Sequence, residues 1–129
     1  MNYLITLKPL KHNSNIGSYS ILAELDSTTN KIIRKLLIPS ANFTAKDGCM
    51  RSFSQGVQKV NDLIYLAGYN FIMIIDYATF NIVDTFSHPL MSDIHCLEVF
   101  EDEIYAVSTT IDALLCFDKK QKLLNGIGE

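Results

Sequence analysis

The stretch DIHCLEVFEDEIYAVSTTIDALLCFD, residues 93–118, decides the fold once it is set beside QGVQKVNDLIYLAGYNFIMIID, residues 55–76. Both run through an apolar segment, an acidic turn, Ile-Tyr, a polar break, a second apolar segment and an Asp. Asp62 and Tyr65 recur 40 residues later as Asp102 and Tyr105, and Asp76 recurs 42 residues later as Asp118. A third, partial copy lies in SILAELDSTTNKIIRKLLIP, residues 20–39, where Asp26 takes the place of Asp76. Short runs rich in Ile, Leu, Val and Tyr, separated by turn residues, predict strands over 62–69, 71–77, 81–87, 93–100, 103–109, 113–118 and 121–127. FIMIIDY is apolar without alternation, which suits a strand buried on both faces.

A unit of about 40 residues built from four short strands has the period of a β-propeller blade. The residues Ile104-Tyr105, the Asp that closes the third strand, His95 on the innermost strand and the turn Ser108-Thr109-Thr110-Ile111-Asp112 resemble blades of the NHL or quinoprotein-like propellers. The Gly-His and Trp-Asp pairs of tryptophan–aspartate repeat propellers are absent, and the chain has no Trp. The expected fold is therefore all-β, a partial β-propeller of about three four-stranded antiparallel blades in one domain. Blade one spans about 2–39, blade two about 52–87 and blade three about 93–127. Blade one lacks an evident innermost strand. A closed propeller needs roughly four to eight blades, so the expected partner is another protein chain, or a second copy, that completes the ring.

Composition narrows the function classes. The 129 residues carry a net charge of −3 and scattered lysines and arginines, which excludes nucleic acid as the expected partner. No apolar run reaches the roughly 18 residues that span a bilayer, so no membrane is expected. Three cysteines (Cys49, Cys96, Cys116) and no secretory pattern at the N-terminus point to reduced thiols and a cytoplasmic chain. Cys96 and Cys116 lie in apolar strand patterns and read as small core residues. No cofactor is implied.

A four-stranded meander brings the 40–54 connection, residues 68–70, 87–93 and 108–112 to one end. Loops on a rigid scaffold are where sites gather. The candidate ligand-binding residues are Arg51, Tyr69, Asn70, His88, Asp93 and Thr109, with Asp47 nearby in the sequence pattern, and they would receive a small-molecule ligand. The candidate catalytic residues are His95, as acid or base, and Asp112 or Asp93 to orient it. His88, Asp93 and His95 are too loosely spaced for a metal site. Ser108, His95 and Asp112 form only a nominal triad, without a nucleophile elbow. Tyr65 and Tyr105 read as packing between blades, and Asp76 and Asp118 as turn residues that accept backbone hydrogen bonds.

The leading expectation is a non-catalytic binding or scaffold module, whole or half of a larger propeller. It would act through its channel-mouth loops or by docking to another chain. The alternative is a fragment of a propeller hydrolase, lyase or transferase, and a third reading is a remnant without independent activity. An acid–base His95 must stand open to the channel beside a carboxylate and near Arg51. A scaffold would bury and satisfy it.

Overall fold

The computed structural model describes residues 1–7, 19–39 and 56–128. Its strands form three antiparallel sheets. Sheet one holds β1 (Asn2–Leu7), β2 (Tyr19–Asp26) and β3 (Lys31–Pro39), paired in that order. Sheet two holds β4 (Val57–Val60), β5 (Leu63–Ala67), β6 (Phe71–Asp76) and β7 (Ile82–Ser87). Sheet three holds β8 (Ile94–Phe100), β9 (Glu103–Ser108), β10 (Ala113–Asp118) and β11 (Leu123–Gly128), with a 3₁₀ turn at Thr109–Ile111. Among the described residues these are three separate open sheets. Among the described residues no helix is long and apolar enough to cross a membrane.

Three hairpins, one in each sheet, share a register. Leu63 pairs with Asp76, Glu103 with Asp118 and Asn2 with Asp26, so β1–β2, β5–β6 and β9–β10 are the same hairpin three times. Each hairpin ends in an Asp that caps the next turn, because a short carboxylate accepts from amides two to four residues on. Asp26 accepts from the Thr28 amide at 2.9 Å, Asp76 from Thr79 at 3.0 Å, and Asp118 from Lys120 and Lys122 at 2.9 Å each. Each turn then closes on a left-handed residue, Asn30, Phe80 or Gln121. Phe80 is bulky for φ 61°, but its ring is buried between sheets one and two, with the Arg34 guanidinium 4.1 Å from its centroid. Asp118→Ala is expected to lower stability by about 1 kcal/mol, measured by urea unfolding followed by circular dichroism. A change indistinguishable from zero would mean that water serves these amides equally well.

Sheet two lies in the middle, and alternation sends its side chains both ways. Ile64, Leu66, Phe71, Met73 and Ile75 join Leu22 and Ile38 of sheet one. Tyr65, Ala67, Ile72 and Phe86 join Ile104, Ala106, Leu115 and Phe117 of sheet three. Phe86 and Phe117 meet edge to face, with centroids 5.5 Å apart. This double burial is why FIMIID reads as continuous apolar sequence. Gly68 is required where β5 turns into β6, since a Cβ there would lie 2.2 Å from the Phe71 ring.

Polar groups stitch the sheets at their margins. Glu24 on β2 is buried and receives Arg34 Nε at 2.7 Å, the hydroxyl of Tyr77 in the turn after β6 and Asn2 Nδ2 at 3.4 Å. Burial alone disfavours its charge, yet these donors together hold its carboxyl below the usual range. Between sheets two and three, the Gln58 amide donates to the Val99 carbonyl at 3.1 Å and accepts from the Val99 amide at 2.7 Å.

Candidate functional site

The loop end that the meander geometry anticipates is held together mainly by backbone. The Ile94 amide donates to the Tyr69 carbonyl at 3.0 Å, and the Thr109 amide and hydroxyl donate to the Asp93 carbonyl at 3.2 and 2.8 Å. Ser108 is fully buried. Its Oγ accepts from the Ser92 amide at 2.9 Å and lies 2.7 Å from the Leu90 carbonyl, so this hydroxyl is a latch between loops. Its proton is committed to backbone, which removes it as a nucleophile.

Asp93 takes a left-handed conformation, φ 56°, at the entry to β8. The ladder then slips: Ile94 pairs with Ser108 and Cys96 with Val107, leaving His95 as the extra residue of a β-bulge. Bulges re-aim side chains, and here the bulge brings Asp93 Oδ2 to 3.3 Å from His95 Nε2. The imidazole is 45% exposed. A buried, satisfied His95, the scaffold expectation, is therefore corrected: the histidine stands at the surface beside a carboxylate.

The other candidates divide. Tyr69 and Asn70 are buried beneath this end, and the Ser87 hydroxyl donates to the Asn70 carbonyl. His88 is half-buried. Its Nδ1 accepts from the Leu90 amide at 3.1 Å, and its ring meets the edge of Phe117, which makes it a turn residue. Thr109 spends its hydroxyl on Asp93, as given above. Asp112 is exposed at the left-handed end of the 3₁₀ turn, its amide donating to the Thr109 carbonyl at 3.3 Å. Among the described residues no hydrogen bond or ion pair joins Asp112 to His95, and Asp93 fills the orienting place. Arg51, with Asp47 and Cys49, lies outside the described residues.

A second region, on sheet three, escaped the sequence reading. The bulge at His95 also turns Cys96 away from sheet two, so Cys96 is exposed and not a core residue, whereas Cys116 is buried as expected. Cys96, Glu98, Tyr105, Val107, Leu114 and Cys116 share the face of sheet three that points away from sheet two, and no described element covers it. Leu114 is 39% and Leu124 51% exposed there. Two adjoining hollows of about 310 and 130 Å³ lie on this face, one between Tyr105, Cys116 and Leu124, the other between Cys96, Tyr105 and Leu114. The Tyr105 hydroxyl donates to Glu103, which pushes its pKa up to about 12, and the Cys116 thiol lies 3.6 Å from the same carboxylate. Burial first, and Glu103 with it, pushes the thiol up, so Cys116 is a poor nucleophile.

Matching register relates this face to others in the chain. Tyr105, Val107, Leu114 and Cys116 occupy the positions of Tyr65, Ala67, Ile72 and Ile74, which sheet three covers. The same positions on sheet one are Leu4, Thr6, Leu22 and Glu24, and sheet two packs on Leu4 and Leu22. Among the described residues, faces in equivalent register thus occur three times and are covered twice. The Tyr65–Tyr105 match, already visible in sequence, is the signal that could have found it.

No protein-family model and no curated protein matches the chain. Among solved structures it is similar to Kuenenia stuttgartiensis hydrazine synthase, with a TM-score of 0.61 and 11% identity over 90% of this chain. The aligned part is 34% of that chain, so this sequence spans about a third of its length. At this identity the likeness concerns the fold alone.

Proposed function

We propose that the chain is a non-catalytic binding or scaffold module made of β-propeller blades, and that it works by seating a further sheet on the uncovered face of sheet three. The observation that carries this reading is the positional identity of that face with two faces already covered inside the chain. Repeat units bury their apolar faces only against neighbours, and an apolar face of this kind left bare is an association surface.

Cys96 reports on the face directly. Its thiol is expected to react with a maleimide quickly in the dilute purified chain and at least about tenfold more slowly in an extract of the cells that make it, because coverage removes access. Equal rates in the two settings would reject the docking reading.

One observation favours the alternative, an acid–base site: the exposed Asp93–His95 pair. That reading expects the ring-proton resonances of His95 to move when acetate or inorganic phosphate is titrated to millimolar concentration. Unmoved resonances would leave the pair as a surface contact.

A further inference from the structure

The uncovered face differs from its covered counterparts at the innermost strand, and the differences say what sits on it. On sheet two the innermost strand begins at Gly56, where a Cβ would lie 3.0 Å from the Leu97 amide and 3.4 Å from the Cys96 Cα. Glycine is needed there because the innermost strand of the next sheet passes against its backbone. Two residues on, Gln58 clamps that strand through both the amide and the carbonyl of Val99. On sheet three the same two positions, fixed by the pairings of β8 with β9, are Cys96 and Glu98. Cys96 places a side chain where glycine gave clearance. The Glu98 carboxylate has no proton to donate to a carbonyl. The seat therefore keeps the apolar middle of the repeated interface and has lost both devices that receive an innermost strand.

Among the described residues, sheet one is the sheet without an innermost strand. Sheet one has three strands among the described residues, and none stands in the place of β4 and β8. Its far face also has the right character. Ile5, Ala23 and Leu25 occupy the positions of Leu66, Met73 and Ile75, and of Ala106, Leu115 and Phe117, the residues with which sheets two and three pack on their predecessors. On that face Leu7 and Leu37 are exposed and Ala23 is buried, and Lys35 there is opposite in sign to Glu98 and Glu103.

We infer that the occupant of the seat is sheet one of a second copy of this chain. Each copy's sheet three receives the other's sheet one, giving a two-fold pair that closes six sheets into one ring. Closed rings of that size lie within the range of four to eight blades, and reciprocal contacts of this kind close where the rotation permits. The inference rests on the docking reading above and adds the identity of the partner.

The test is the mass of the full chain by light scattering across micromolar concentrations. Twice the chain mass of 14.5 kDa is expected, with Cys96 labelling slowing as the concentration rises. Leu114→Arg, on the seat, and Leu37→Arg, on the far face of sheet one, are each expected to give a folded monomer by circular dichroism. Both side chains are partly or largely exposed in the single chain, and Val107→Glu replaces Leu114→Arg should the latter fail to fold. A wild-type monomer at every concentration overturns the inference. So does a dimer lost with Leu114→Arg and kept with Leu37→Arg, which would pair two seats face to face. If the purified chain is monomeric and Cys96 is nevertheless shielded in the cell extract, the second copy is wrong and the docking reading stands with another protein as occupant.

Discussion

Phe117→Ala is expected to lower the unfolding free energy by about 3–5 kcal/mol. Phe117 is fully buried on the near face of sheet three. Its ring meets Phe86 edge to face at 5.5 Å and the His88 ring at 5.7 Å, so it touches both the last strand of sheet two and the loop that leads out of it. Aromatic pairs of this geometry add to the burial energy. Truncation leaves a hollow between two β-sheets, which relax poorly because each is held by its own ladder. A domain of this size has roughly 5–15 kcal/mol in total, so the variant should unfold at much lower urea. Val83→Ala, on an exposed stretch of β7, should stay within about 0.5 kcal/mol of wild type. A Phe117→Ala loss under about 1 kcal/mol would mean that sheets two and three do not share a core.

The parts legible in the sequence are those governed by local rules. Asp26, Asp76 and Asp118 recur because each hairpin must start its turn with an acceptor, and their bonds are the expected ones. FIMIID shows its burial on two faces because an apolar run without alternation has no polar side to expose. The parts that were not legible depend on one inserted residue. Nothing in DIHCLEV marks His95 as the extra member of the ladder, and a period of two carried through it assigns Cys96 to the wrong face. The bulge also decides the histidine's exposure and its approach to Asp93. The uncovered face was hidden for another reason: Tyr105, Val107 and Leu114 look like core in sequence, and they are core in kind. Only the count of sheets shows that this copy of the interface has no neighbour within the described chain.

Arg34→Met should cost about 3 kcal/mol at neutral pH, and the loss should shrink on acidification. Glu24 is a buried carboxylate whose charge is held by Arg34, Tyr77 and Asn2. Removing the guanidinium leaves that charge in a poorly solvated place, and it also removes the bond to the Ala78 carbonyl at 3.1 Å and the cover over Phe80. The partial exposure of Arg34, 29%, keeps the effect at the lower side of values for buried pairs. The direction with pH follows from the lowered carboxyl of Glu24. A carboxyl that binds its proton less tightly in the folded chain than in the unfolded one adds stability that is complete above the ordinary carboxylate range. That contribution drains as pH falls through the range and below it. Without Arg34 fewer donors oppose the burial of Glu24, the carboxyl accepts a proton sooner, and the protonated form tolerates its surroundings. Urea midpoints for wild type and Arg34→Met, taken from neutral pH downward, should therefore converge. Arg34→Lys separates charge from shape: it keeps the cation and loses the fork, so it should fall between the two at neutral pH. Parallel midpoint curves at all pH values would show that Arg34 acts through its contacts with Phe80 and Ala78 and not through Glu24.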